Sequence, residues 1–222
     1  MTTKSVIAIG TVVAALLVGI GGSSSAAVKH QPGEKGVVRG QTAQWSFDKE
    51  KVGSIPSGAH AFSGTWAVKA ESDAPSPPHV LCQTGASQFP AIVLSDKVFT
   101  DVTVSTRFKP VSGNEDRAAG IIFRIQDQDN FYILRANALE DNINIYRYVA
   151  GSRQAIKEGS GKVPSGTWQE LRVEVKGSDI RGYLNGKLVV EARDGTFKAG
   201  GVGLWTKADS VTCFDDVKAI AQ

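Results

Sequence analysis

The chain has 222 residues, a formal net charge of +3, and 41% apolar against 21% charged residues. Acidic and basic side chains are interleaved without a long basic run, so the electrostatic footprint of a nucleic-acid binder is missing. Two widely separated cysteines and three histidines, none beyond His79, leave no Cys/His zinc pattern.

Residues 1–27 read as an export signal. Lys4 supplies the positive start, Ser5–Gly22 is apolar with no acid, and Ser23–Ala27 offers the small residues that a signal peptidase requires. A retained anchor is the alternative, since roughly 18 apolar residues is near the lower limit for spanning a bilayer. After cleavage no membrane segment is expected, and the product is a periplasmic or extracellular monomer. Residues 28–43 are polar and Gly-containing and read as a flexible leader. Residues 44–222 are enough for a single domain.

Within that domain, Gln44–Asp48 and Gly64–Ala70 alternate as strands, with an irregular loop between them over Lys51–Phe62. The prolines of Asp73–Pro78 cannot join a ladder and mark a loop. His79–Gln83 and Pro90–Leu94 are further short strands. Val98–Pro110 places Val102, Val104, Thr106 and Phe108 on one face. Ala119–Tyr148 then reads as three strands separated by two polar loops. Trp168–Lys176 turns Leu171, Val173 and Val175 inward, and Asn185-Gly186 between alternating arms is a type I′ hairpin signal. Gly201–Lys207 and Val211–Ile220 close the chain as strands. No stretch of the mature chain repeats with helical period, and short strands at this spacing predict an all-β, two-sheet antiparallel sandwich.

Five segments carry a resemblance: Ala119–Arg124, Thr167–Val173, Tyr183–Lys187, Gly201–Thr206 and Phe214–Val217. In this order the chain resembles the concanavalin A-like (laminin G-like) jelly-roll superfamily, and it is most similar to exported bacterial proteins of family 16 glycoside hydrolase-like or 3-keto-disaccharide hydrolase-like type. The resemblance implies a jelly-roll sandwich. It does not choose between lectin, hydrolase and adhesion roles, since one fold hosts all three. Family 16 hydrolases place three carboxylates on one strand in an E-x-D-x-E or E-x-D-x-x-E pattern. That pattern is missing here, which argues against a standard retaining glucanase.

The three strands of Ala119–Tyr148 present the candidate site. With Ile121, Phe123 and Ile125 inward, Arg124 and Arg135 face outward, joined from the third strand by Asn144, Tyr146 and Tyr148. Trp205 and Lys207 follow the same alternation. Aromatic faces and guanidinium forks on a concave sheet suit a saccharide or glycoconjugate, with an ordinary solvated face as the alternative. Trp205 is a sugar platform on this reading, and a buried core Trp on the other. If the chain is an enzyme, Glu140 is the expected general acid or base, with Asp141 or Asp129 as partner. The other candidate role is a non-catalytic adhesion or interaction module.

A structural calcium ion at the chain ends is the one cofactor considered. By resemblance to related sandwich modules it would be held by Asp48 with Asp216 or Asp215. Cys82 and Cys213 both sit in apolar surroundings, so buried free thiols are expected, with a disulfide as the alternative.

Overall fold

The structure is a computed structural model that describes residues 42–222. The expected signal segment (1–27) and all but the end of the expected leader (28–43) lie outside the described residues. The described residues form fifteen strands: β1 (Thr42–Trp45), β2 (His60–Ser63), β3 (Trp66–Ala70), β4 (His79–Gln83), β5 (Ala91–Phe99), β6 (Val102–Ser112), β7 (Ala118–Asp127), β8 (Asn130–Asn137), β9 (Asn142–Val149), β10 (Ser152–Ser160), β11 (Gln169–Lys176), β12 (Asp179–Leu184), β13 (Lys187–Arg193), β14 (Gly200–Trp205) and β15 (Val211–Ala221). One sheet has eight strands in the order β13-β12-β11-β6-β15-β4-β3, with β1 added on β15. The other has seven, in the order β10-β9-β8-β7-β14-β5-β2. All pairings are antiparallel, and neighbours such as β14 and β7 are distant in sequence, as a jelly-roll sandwich requires.

The period-two patterns decide which side chains meet between the sheets. Val104 and Phe108 of β6 and Leu171, Val173 and Val175 of β11 pack against Ile121, Phe123, Leu134, Ile143, Ile145, Val202 and Leu204 of the opposite sheet. Burying a side chain of this size contributes roughly 1.5–3 kcal/mol. The Asn185-Gly186 turn forms as expected, with φ of 49° and 78°.

Three sequence expectations differ from the structure. Val98–Pro110 is not one strand, because the chain turns at Thr100-Asp101 between β5 and β6. The loop expected over Lys51–Phe62 ends in a short strand, β2, because His60–Ser63 pairs with β5 at the edge of the seven-stranded sheet. The third difference concerns Cys82 and Cys213, which were expected to be unpaired. They lie directly opposite each other on β4 and β15 and form a disulfide. The sequence separates them widely, and only the pairing of these two strands brings their Cβ atoms together.

A second apolar cluster lies on the outer face of the seven-stranded sheet: Ala91, Val93, Ala118, Ile122, Ile125, Phe131, Ile133, Tyr146 and Trp205. Phe62, Phe89 and Tyr148 pack against it. Phe62 of β2 and Tyr148 of β9 line one cavity of about 260 Å³. Those strands are five steps apart in the sheet, about 24 Å if it were flat. This face is therefore dished, which makes it the concave surface of the sandwich.

Candidate functional site

The site is built at one end of β8 and β9. Arg135 of β8 is 2% exposed, and its Nη2 donates to Glu140 Oε2 at 2.6 Å and Asn142 Oδ1 at 2.7 Å. Asn142 Nδ2 donates in turn to Glu140 Oε2 at 2.8 Å, so the loop acid is held from two sides. Burial pushes the Glu140 carboxyl up, but hydrogen bonds from Asn142 and Arg135 and the Arg135 charge outweigh it and hold the group below its ordinary value. Its side chain is 47% exposed, so the carboxylate is both ionised and reachable.

A buried acid, Asp116, joins the network from the loop before β7. Its Oδ1 accepts from Asn137 Nδ2 at 2.6 Å and lies 4.0 Å from Arg135 Nη1, and its Oδ2 is paired with Lys207. That loop is itself held by Asp209, whose carboxylate accepts the successive amides of Asn114, Glu115 and Asp116. These amides lower the Asp209 carboxyl to about 2.

Arg153 of β10 supplies the aromatic part of the site. Its guanidinium lies 4.6 Å from the Tyr146 ring centroid, 5.0 Å from Phe89 and 5.8 Å from Trp205. Burial lowers its affinity for a proton, and it forms no ion pair among the described residues. Phe89 stacks on Trp205 at 5.8 Å and meets Tyr148 edge-on at 5.7 Å, and Phe131 stacks on Tyr148 at 4.8 Å. Burial and the Asp129 charge raise the Tyr148 hydroxyl, against the opposing charge of Arg153. Arg135 Nε, Arg153 Nη1 and Trp205 Nε1 are buried without a hydrogen-bond partner among the described residues. One end of the face thus presents fixed charges beside apolar ring surfaces, the combination that recognises a polyhydroxylated ring with one apolar side.

The expected residues divide. Arg135, Tyr146 and Lys207 come together, with Asn144 donating to the Tyr146 hydroxyl at 2.9 Å. Tyr148 lies beside them on the aromatic side. Arg124 does not belong to the group. It is the extra residue of a bulge, with φ of 50°, where Val202 pairs with Phe123 and Gly201 with Ile125. The bulge reverses the parity, so Ile125 joins the outer cluster rather than the core. The Arg124 guanidinium turns to the end of the sheet and donates to the carbonyls of Thr100 (2.8 and 3.1 Å) and Phe197 (2.9 Å). Trp205 does face the outer side, but it is 0% exposed beneath Phe89 and Arg153, so it is no open platform.

The expected catalytic partners also separate. Asp141 turns away to Lys162 (2.7 Å) and the Val163 amide (3.0 Å), and both contacts lower its carboxyl. Asp129 sits in the turn before β8 and Glu140 beyond its far end, roughly 25 Å apart at the rise of a strand. Neither forms a carboxylate pair with Glu140. Asp116 and Arg153 were missed. The signal for Arg153 is the Ala150-Gly151 turn, with φ of 48° and 75°, which sets Arg153 opposite Tyr148 on the same face.

At the chain ends, Asp215 rather than Asp216 meets Asp48. Asp48 Oδ2 accepts from Ser76 Oγ and Oδ1 from the His79 amide, while Asp215 accepts from the amides of Ser76 and Asp216. Asp216 lines a shallow depression with Arg107 and Lys218 on the outer face of the eight-stranded sheet. All four oxygens of the Asp48–Asp215 pair already receive N–H or O–H donors, and no group of three potential metal ligands is found among the described residues. The two carboxylates are thus held in one hydrogen-bonded group with Ser76 and His79.

Burial, aided by the charges of Asp216 and Asp48, raises Asp215 to about 6 from 3.8, against the two amide bonds. Because the folded value lies above the unfolded one, the stabilisation is complete below pH 3.8 and is lost as pH rises through about 6. Its size is up to about 3 kcal/mol. Thermal midpoints of wild type and Asp215→Asn at pH 4.5 and 7.5 check this. The variant is expected to gain on wild type as pH rises, and parallel curves refute it.

Comparison with known proteins agrees with this architecture. A levanase of Bacillus subtilis (strain 168) is 25% identical over 158 residues, 70% of this chain but 21% of that protein, so the chain spans about a fifth of the length of this relative. Carbohydrate binding module CBM66 from Bacillus subtilis superposes with a TM-score of 0.64 at 23% identity, over 74% of this chain and 96% of the module. A Bacillus subtilis protein of unknown function with a galectin-like fold gives 0.56 at 13% identity, over 74% and 91%. The family profile described as 3-keto-alpha-glucoside-1,2-lyase-like domain matches residues 41–219, nearly the whole of the sandwich, and the chain belongs to that family.

Proposed function

We propose that this protein binds a saccharide on the dished face of its seven-stranded sheet. The observation that supports the reading is the Arg153 guanidinium laid over three aromatic rings beside the braced Arg135–Glu140–Asn142 network. The half-buried Phe89 and Tyr148 rings offer apolar cover for a sugar ring, and the charged groups offer acceptors and donors for its hydroxyls. Levan is the first polysaccharide to try, because a levanase is among the relatives. The disulfide supports the view that the chain works in an oxidising, exported compartment.

Affinity electrophoresis of the protein through gels containing levan, inulin, β-glucan or arabinoxylan tests the reading. At least one polysaccharide is expected to retard the wild type, and Arg153→Ala is expected to weaken retardation about tenfold or more. Equal retardation of wild type and Arg153→Ala by every gel sinks the assignment of this face.

A second reading follows from the family. A ketone at C3 of a glycoside acidifies the C2 hydrogen, so one base can take that proton while the C1–oxygen bond breaks and the leaving group keeps the bonding electrons. Glu140 supports this reading, since it is ionised, exposed, and beside Arg135, which could stabilise the enolate. Incubation with a 3-keto-disaccharide, with Glu140→Gln as control, decides it. Release of monosaccharide that survives in Glu140→Gln excludes Glu140 as the base.

A further inference from the structure

A second concavity continues the same face beyond the aromatic rings. The chain of contacts runs from Arg153 over Phe89 (5.0 Å) to Tyr148 (5.7 Å), and both rings line the cavity of about 260 Å³ that Phe62 closes on the far side. Phe62 is also a wall of a larger cleft of about 530 Å³ at the sheet edge, bordered by His60, Asp96 and Lys198. The second volume lies within the range of small-ligand sites, roughly 300–1,000 Å³, and the first just below it.

The chemistry of this cleft is unspent. The side chains of His60, Asp96 and Lys198 enter no hydrogen bond or ion pair among the described residues, whereas most charged groups around the Arg135 site are already paired. Phe62 is half-buried and meets His60 edge-on at 5.4 Å, so an aromatic wall stands beside three free polar groups. Gly200 and Gly201 also line the cleft and project no side chain into it.

We infer that the Phe62–His60–Asp96–Lys198 cleft is an additional saccharide subsite, which receives the residues of an oligosaccharide whose first residues occupy the Arg153 site. This rests on the reading of the Arg153 face as a saccharide site. Its occupant is the continuing glycan because Phe62 lines both volumes, and the first volume borders the rings of the Arg153 site. An oligosaccharide lying here crosses the sheet from β9 to the β2 edge, and longer chains make contacts that short ones cannot.

Calorimetric titration with fructan, β-glucan and arabinoxylan oligosaccharides of two and six residues tests the inference on the full chain. For the glycan that binds, the six-residue form is expected to bind about tenfold more tightly than the two-residue form. Phe62→Ala is expected to abolish that gain and leave the two-residue affinity unchanged. Asp96→Ala and Lys198→Ala, both at exposed positions, guard against misfolding of the Phe62 variant and are each expected to reduce the gain. Equal affinities for the two lengths overturn the subsite and leave the Arg153 face standing. The subsite also falls if the gain persists in all three variants. Failure of every oligosaccharide of either length to bind removes both readings.

Discussion

Removal of the Cys82–Cys213 bridge, by reduction or by Cys82→Ser with Cys213→Ser, is expected to lower the thermal midpoint by roughly 10–20 °C. The bridge closes a loop with a sequence separation of 131. In the chain-entropy account, a loop of that length restricts the unfolded ensemble by about 5 kcal/mol, and each kcal/mol shifts the midpoint of a domain this size by about 2–4 °C. The native state loses little in compensation, because Cys82 is 0% exposed and packs with Ala74, Val80 and Cys213 beside Trp168. The bond also ties β4, next to the last strand of its sheet, to the long central strand β15. Calorimetric scans with and without reductant measure the effect. A midpoint unmoved by a reductant shown to free both thiols refutes it.

Arg124→Ala is expected to destabilise the domain by about 3–5 kcal/mol while leaving saccharide affinity of the folded protein unchanged. The side chain is 1% exposed, and its three hydrogen bonds satisfy carbonyls of the β5–β6 turn and of the loop before β14. Burial lowers its proton affinity, and Tyr132 and Asp101 partly restore it. Truncation leaves the Thr100 and Phe197 carbonyls without their donor. Urea unfolding gives the stability, and affinity electrophoresis gives the binding. A variant that unfolds like wild type but no longer binds would return Arg124 to the binding face.

The contrast between Arg124 and Arg135 shows how far alternation carries. Both arginines stand at outward positions when the strands are counted two by two, and Arg135 goes where the count puts it. Arg124 does not, because one extra residue in β7 opposite β14 reverses the parity at that point. A bulge of this kind has no strong local signature when the residue at positive φ is not glycine. Trp205 fails in another way. Its direction was legible, yet its exposure depended on Phe89, which arrives from a loop more than a hundred positions earlier in the chain. The missing carboxylate triad, by contrast, needed no structure, since its spacing is a property of one strand.

The sequence by itself determined the all-β class, the inward sets of most strands, the Asn185-Gly186 hairpin, and the position of Arg135, Tyr146 and Lys207 on a common face. These follow from period-two patterns and local turn chemistry, which act within one strand or hairpin. Only the tertiary structure decided the disulfide, the withdrawal of Arg124, the burial of Trp205, and the addition of Asp116 and Arg153. Each of these depends on which strands become neighbours and where a bulge shifts their register. Strand order and register are set by the packing of two whole sheets against each other, a free energy shared among many residues and readable from no single segment.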